Sequence, residues 1–453
     1  MAARAAGFFA TAVLARKLGA DAFGLLGFAT AITMYFGVAV TVGFGDIGAR
    51  EVAKNPERAT TIAVDATAVR LLIALGGACA INAVALVFVE NELERSVLML
   101  SSLILLPVSL DPGWVYRGLE RTRFVGATLF LSQLIYLAGV LILVRFPADV
   151  VRVPPVQFAG ELLAALVLLA FLSRSGVPRP SFRGGIRLLR QSGLITVTRL
   201  LRSLIVTFDL MLLGIMASKR EVGLYSAAYR VCLMLTAIAV ATHVVFIPAV
   251  TRAAAVGPAE VSTVLKRSLA LTGAVMLPLV VGGMVLAQPL LSLLFGGDYS
   301  SGANALRLLL VSIGLLSLHG TMHYVFVATD RIRQQAGIIG GGAALNVALN
   351  LILIPRYSLV GAAAATVASE ALILVASAVV LWKRGLRTRG AELLPAALAS
   401  GVMAMVVSAL PDRVPVLLAI PAGGAVYLAV LVSLGGLPRN LPVSGVDSAV
   451  AGG

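Results

Sequence analysis

Little of this 453-residue chain is charged: Asp, Glu, Lys and Arg make up 13% of it, against 59% hydrophobic residues. A soluble domain carries roughly 25% charged residues, so this chain cannot cover a globule that faces water on every side. Cysteine is nearly missing. Cys79 and Cys232 are the only two and both lie inside apolar runs, which excludes a disulfide framework and a cysteine metal site. No GxxxxGK[ST] phosphate loop, HExxH or CxxC occurs, so nothing points to ATP hydrolysis, zinc-protease or dithiol chemistry and no cofactor is expected. Long polar loops are missing too. The longest polar connection, Ser173 to Arg190, has 18 residues and cannot house a separate soluble domain.

What the chain has in abundance is apolar runs of about 20 residues, the length that crosses a bilayer as a helix. The pattern predicts an all-α integral membrane protein with about fourteen transmembrane helices. They fall at 2–15, 22–44, 66–89, 96–114, 124–144, 156–172, 192–216, 224–247, 268–287, 303–327, 335–354, 359–382, 391–410 and 414–434. The net charge of +15 would suggest nucleic acid in a soluble protein. Here the distribution of Lys and Arg explains it without a nucleic-acid partner: 20 lie in loops after even-numbered spans and 9 in loops after odd-numbered ones. The positive-inside rule then puts the even loops and both termini in the cytoplasm of a multi-pass cell-membrane (inner-membrane) protein. The first span reaches only about 21 Å against a hydrocarbon core of about 30 Å, and Arg4 sits in it. The reading is a start lying upstream, or a fragment. Arg16 and Lys17 after the run, with no small-residue cleavage motif, speak against a signal peptide.

The chain also repeats itself. Ala22-Phe23-Gly24-Leu25-Leu26 after the first span matches Glu221-Val222-Gly223-Leu224-Tyr225 after the seventh, with Gly24 and Gly223 199 residues apart. Trp114 to Arg123 resembles Tyr324 to Arg333, and Glu161 in the sixth span matches Glu370 in the twelfth. A common order and similar offset suggest two parallel six-helix bundles, an N-lobe and a C-lobe, with two C-terminal helices appended. The expected divisions are 1–172 and 192–382 for the bundles, 173–191 for a cytoplasmic linker, 383–435 for the extra helices and 436–453 for a cytoplasmic tail.

At these repeats the sequence resembles a known family. ARKLGADAFGLLGFA (Ala15 to Ala29), GDIGAREVA (Gly45 to Ala53), Asp209 to Gly214 followed by VGLYSAAYR, LLFGGDY (Leu293 to Tyr299), NVALNLILIP (Asn346 to Pro355) and GAAAATVASE (Gly361 to Glu370) are similar to segments of the polysaccharide (Wzx-type) flippases. These belong to the multidrug/oligosaccharidyl-lipid/polysaccharide exporter superfamily. The short first helix departs from the family pattern, as do Arg199 and Arg202, at positions often small or apolar there. The resemblance implies a transporter and not an enzyme. It moves a polyprenyl-diphosphate-linked oligosaccharide outward by alternating access, in the lipid bilayer beside glycan polymerase or glycosyltransferase partners. A multidrug or cation antiporter of the same superfamily and a peptidoglycan-precursor flippase are the alternatives.

Ionisable groups inside a bilayer are costly and mark candidate sites. Arg199, Arg202 and Asp209 lie at i, i+3 and i+10 of the seventh span, within about 80° of one face. That face either lines a hydrated cleft and binds substrate, or the arginines snorkel to the headgroups while Asp209 pairs with a neighbouring cation. Arg230 in the eighth span could pair with Asp209 or touch substrate. Arg70 reads as a headgroup anchor or a gating residue, and Arg16 as a family position at a helix end. His319 and His323, four residues apart, can share a helix face and handle protons. No nearby carboxylate in the sequence completes a metal set, so no metal is expected. Glu161 and Glu370 read as interhelical hydrogen bonders, and Asn346 and Asn350 as partners across helices.

Overall fold

The computed structural model describes residues 2–41, 44–173, 176, 178–191, 201, 208–386, 388, 390–411 and 414–436. Among these the chain is helical, and no strand occurs. It divides into two compact units, Met1–Ser226 and Ala227–Gly453. The first holds α1 (Ala2–Thr41), α2 (Ala49–Lys54), α3 (Ala59–Phe88), α4 (Glu92–Ser102), α5 (Leu105–Leu110), α6 (Gly113–Gly118), α7 (Thr122–Leu143), α8 (Val153–Leu172), α9 (Phe182–Gln191) and the opening turns of α10 (Lys219–Val244). The second holds the rest of α10, then α11 (Ile247–Val256), α12 (Pro258–Val285), α13 (Ala287–Phe295), α14 (Ala303–Ala328), α15 (Ile332–Trp382), α16 (Leu394–Ser408) and α17 (Val416–Ser433).

Eleven helical segments among the described residues are long and apolar enough to cross a bilayer. The difference from fourteen arises at interruptions and at residues outside the description. As one rod, the 51 residues of α15 would measure about 75 Å, more than twice the hydrocarbon thickness. They do not form one rod: Ser358, three residues after Pro355, leaves helical geometry at φ 47°. Proline removes a backbone donor and crowds the preceding turn, so the break falls where the sequence separates 335–354 from 359–382. In α1 the break is at Gly19, with φ 73°, a value glycine adopts without a Cβ penalty. The span expected at 96–114 is three pieces, α4, α5 and α6. Most of the seventh, 192–216, lies outside the described residues, and 208–216 is helical. Leu72, Val375 and Leu428, well inside long helices, are each more than half exposed, a surface that lipid satisfies and water does not.

The stretch expected to be only a polar linker contains α9, which lies against α3. Ser181 N donates to Asp65 Oδ1 at 2.7 Å, and a Cβ on Gly184 would overlap that carboxylate. Phe182, Ile186 and Leu189 recur at helical spacing in α9, a signal the sequence carried and that its arginines obscured.

Breaks and ends of helices leave carbonyls without intrahelical partners, and hydrocarbon supplies none. Two cations solve this inside the first unit. Lys17 Nζ donates to the carbonyls of Val140, Leu141 and Val144 at 3.1, 3.0 and 2.8 Å, closing the end of α7. Arg70 on α3 donates to the carbonyls of Val108 and Asp111, at the break between α5 and α6. Where polar groups are absent, glycines bring backbones together. A Cβ on Gly24 would overlap the carbonyl of Lys219, and one on Gly223 would overlap the carbonyl of Ala20. Lys219 precedes Gly223 by four residues as Ala20 precedes Gly24, so the repeat-related glycines make a reciprocal contact.

Gly24→Ala is expected to lower thermal stability in detergent, at an overpacking cost of about 1–3 kcal/mol. Gly76→Ala, whose Cβ would meet nothing within 4 Å, leaves the midpoint unchanged or raised. Arg70→Met leaves two buried carbonyls unmet and is expected to cost about 2–4 kcal/mol, read as a lowered unfolding midpoint with unchanged helix content by circular dichroism.

Candidate functional site: two buried polar clusters

In the first unit the cluster centres on Asp209, which is 1% exposed. Its carboxylate accepts hydrogen bonds from Tyr225 Oη on α10 and from the backbone N–H of Leu210, the latter at 2.8 Å. Tyr225 is itself fully buried. Around this pair, small residues allow close packing: a Cβ on Gly214 would overlap the Phe28 ring, and one on Gly27 would overlap Ser226 Oγ. Lys219 lies 5.2 Å from the centre of the Phe28 ring and pairs with Glu94 Oε2 at 2.9 Å.

In the second unit a set of polar side chains runs through α10, α12, α14 and α15. His319 Nε2 lies 2.5 Å from Glu370 Oε2, and both residues are buried. His243 Nε2 lies 2.9 Å from the carbonyl of Ser317. Gly320 makes room for that ring, since a Cβ there would come within 2.6 Å of His243 Cε1. Thr272 and Thr321 share a hydrogen bond at 3.2 Å. Asn350 Nδ2 donates to Asn346 Oδ1 at 3.0 Å, leaving Asn346 Nδ2 and Asn350 Oδ1 buried without a partner. Chemically, the His319–Glu370 pair can share a proton between two helices. Among the described residues, no group of three His, Cys, Asp or Glu is placed to hold a metal.

Several sequence readings are corrected. Arg70 does not anchor to headgroups: it is 2% exposed and its guanidinium is taken up by the carbonyls of the α5–α6 break. The histidines do have a carboxylate beside them. Glu370 lies 51 residues from His319, and the packing of α14 on α15 brings it there. Glu370 thus makes the expected interhelical bond. Asn346 and Asn350 bond along one helix and not across two. His323, one turn on from His319, is half-buried and its ring lies edge-on to Tyr324 at 5.1 Å. Arg16 is exposed three residues before the Gly19 break, and Arg230 is half-buried on α10, in the second unit. Arg199 and Arg202 lie outside the described residues. Tyr225 was not singled out from sequence, although it stands in the VGLYSAAYR segment, sixteen residues after the buried acid it serves.

With the geometry in place, comparison with known proteins becomes informative. The family described as "Polysaccharide biosynthesis protein" matches residues 1–254. The "Probable low-salt glycan biosynthesis flippase Agl15" of Haloferax volcanii is 23% identical over 259 residues, 57% of this chain and 55% of that protein. The chain thus spans about half the length of that relative. The "Putative O-antigen transporter" of Escherichia coli K12 is 21% identical over 376 residues, 80% of this chain and 88% of that one. Among solved structures, the lipid II flippase MurJ in an inward closed conformation superposes with a TM-score of 0.78 at 14% identity, covering 94% of this chain and 96% of that one. An inward-facing multidrug resistance MATE transporter of the MOP superfamily gives 0.64 at 14% identity, covering 84% and 95%. At such identities the likeness is one of fold. The chain belongs to the polysaccharide biosynthesis protein family, and eleven helical segments among its described residues are long and apolar enough to make it a multi-pass membrane protein.

Proposed function

We propose that this transporter is a flippase that carries a polyprenyl-diphosphate-linked oligosaccharide from the cytoplasmic to the outer leaflet for cell-surface polysaccharide biosynthesis. The observation that carries the reading is the family match over residues 1–254. It falls on a chain whose ionisable side chains are held inside apolar helices, as Asp209 and Glu370 are. The names of its glycan-flippase and O-antigen-transporter relatives support the same substrate class.

The physical problem is to move a diphosphate and a hydrated glycan through hydrocarbon. In the proposed architecture two six-helix bundles, 1–172 and 192–382, rock about a cleft, with 383–435 appended and both termini in the cytoplasm. Arg199, Arg202 and Arg230 replace water around the diphosphate, because guanidinium groups bind phosphate oxygens in a bidentate fashion. Asp209, oriented by Tyr225, limits the cationic field and holds the arginine face in register. Arg16, His319 and His323 act in gating, and Arg70 supports the wall through the carbonyls it binds. The polyprenyl tail stays in lipid beside the bundles, and glycosyltransferases and a glycan polymerase work on either side of the step. No ATP is required: moving about two negative charges outward across 100 mV, inside negative, releases roughly 4–5 kcal/mol.

A cation extruder would need acids facing its cleft, whereas the seventh and eighth spans offer Arg199, Arg202 and Arg230 against the single Asp209. That balance favours an anionic substrate. A peptidoglycan precursor carries the same diphosphate and polyprenyl chemistry, and the same residues would serve it.

Replacing both Arg199 and Arg202 with Ala, at unchanged membrane abundance, is expected to abolish glycan export in a strain lacking its own flippase. Wild-type export by the double variant contradicts the arginine assignment. Tyr225→Phe removes one hydrogen bond to a charged group, worth about 1.5–3 kcal/mol. Export by this variant is expected to fall by about tenfold or more, measured as surface glycan per molecule of transporter.

A further inference from the structure

Because α15 turns back at Ser358, its two ends lie side by side. Their packing is antiparallel: a Cβ on Gly342 would come within 2.5 Å of Ile373 Cγ1. Where the ends come together a cavity of about 460 Å³ opens, lined by Gln334, Gly337, Ile338, Val380, Lys383 and Arg384. Its chemistry is divided. Gly337, Ile338 and Val380 form an apolar wall, and Gln334, Lys383 and Arg384 form a polar lip with no acidic residue. A Cβ on Gly337 or on Gly341, one turn further along, would meet nothing within 4 Å. The slot is therefore open along the outer side of the helix, and the inner glycine, Gly342, serves the packing. Lys383 and Arg384 are exposed, and neither side chain has an ion-pair partner among the described residues. The neighbouring Trp382 is 59% exposed. An exposed tryptophan at the end of a spanning helix sits at headgroup depth, which places the two cations there as well.

An apolar slot that runs into hydrocarbon below two uncompensated cations fits one ligand class: a phosphate-bearing headgroup attached to an acyl chain. A free anion would leave the slot unfilled, and a zwitterionic lipid would bring its own cation to a lip that already has two. We propose that this cavity is a binding site for an anionic phospholipid of the surrounding membrane. The phosphodiester is held by Lys383 and Arg384, Gln334 donates to a phosphate or ester oxygen, and one acyl chain lies against Gly337 and Gly341. Basic pockets between spanning helices bind anionic headgroups by this division of labour. The site belongs wholly to the second unit and does not depend on the substrate that the transporter carries.

The test is native mass spectrometry of the delipidated full chain, titrated with phosphatidylglycerol or with phosphatidylcholine of identical acyl chains. The wild type is expected to bind phosphatidylglycerol about thirtyfold more tightly, from roughly 1 kcal/mol for each of the two cations near the surface. The K383A/R384A variant is expected to lose that preference. Gly337→Leu keeps both cations and enters open space, and is expected to weaken both lipids at an unchanged unfolding midpoint. Equal affinity for the two lipids in the wild type overturns the proposal. So does a preference that survives in K383A/R384A, or displacement of phosphatidylglycerol by millimolar inorganic phosphate. Undiminished lipid binding by Gly337→Leu overturns it too, for then the slot holds no chain.

Discussion

Hydrocarbon offers no hydrogen-bond partner, so the backbone N–H and C=O groups that this chain carries into the membrane must find partners within the protein. That constraint governs the helices and their interruptions alike. Breaks at Gly19, at Ser358 and between α5 and α6 turn the chain or shorten a span, and the gap between α5 and α6 frees carbonyls that a neighbour must satisfy. Arg70 meets that need at the gap, and Lys17 meets it at the end of α7. Tyrosine hydroxyls show the converse, finding acceptors for themselves within helices: Tyr116 donates to the carbonyl of Leu168 and Tyr427 to that of Ala274, each at 2.6 Å. A cation committed to backbone in this way is structural, however functional its sequence position looks. Lys383 and Arg384, by contrast, have no ion-pair partner among the described residues.

The same constraint explains why the sequence revealed the architecture so much better than the contacts. A long apolar run has one stable fate in a bilayer, so the helical class and the breaks near Gly19 and Pro355 are readable from the apolar runs and the polar residues between them. The repeat was readable as well, and its most informative pair, Gly24 and Gly223, turned out to be a backbone contact. Which way each helix faces was not readable. A spanning helix such as α3 or α15 is apolar around nearly its whole circumference, so no hydrophobic stripe sets its rotation. Arg70 could then be assigned a depth but not a partner. His319 and Glu370 could be placed on two helices without any sign that those faces meet. Asn346 and Asn350 were assigned to one face correctly and to the wrong bond, because two asparagines one turn apart can satisfy each other first. The amphipathic α9 was the reverse case, with its periodicity plain in the sequence and hidden only by the polarity of its surroundings.

For function, the fold is shared with a lipid II flippase and with a multidrug resistance transporter, so the side chains inside it must decide the substrate. Arg199, Arg202 and Arg230 outnumber Asp209 within 192–216 and 224–247, a balance opposite in sign to the diphosphate of the proposed substrate. Two carboxylates in the apolar interior are held by partners, Asp209 by Tyr225 and Glu370 by His319.

The central claim is transbilayer movement of a lipid-linked sugar without ATP. The most direct measurement reconstitutes the purified chain into liposomes carrying a polyprenyl-diphosphate-linked oligosaccharide labelled in the inner leaflet. A membrane-impermeant glycosidase outside then reports each arrival. The account predicts release of label that depends on the protein, needs no nucleotide and quickens when the interior is made negative. Release no faster than in protein-free liposomes would contradict it.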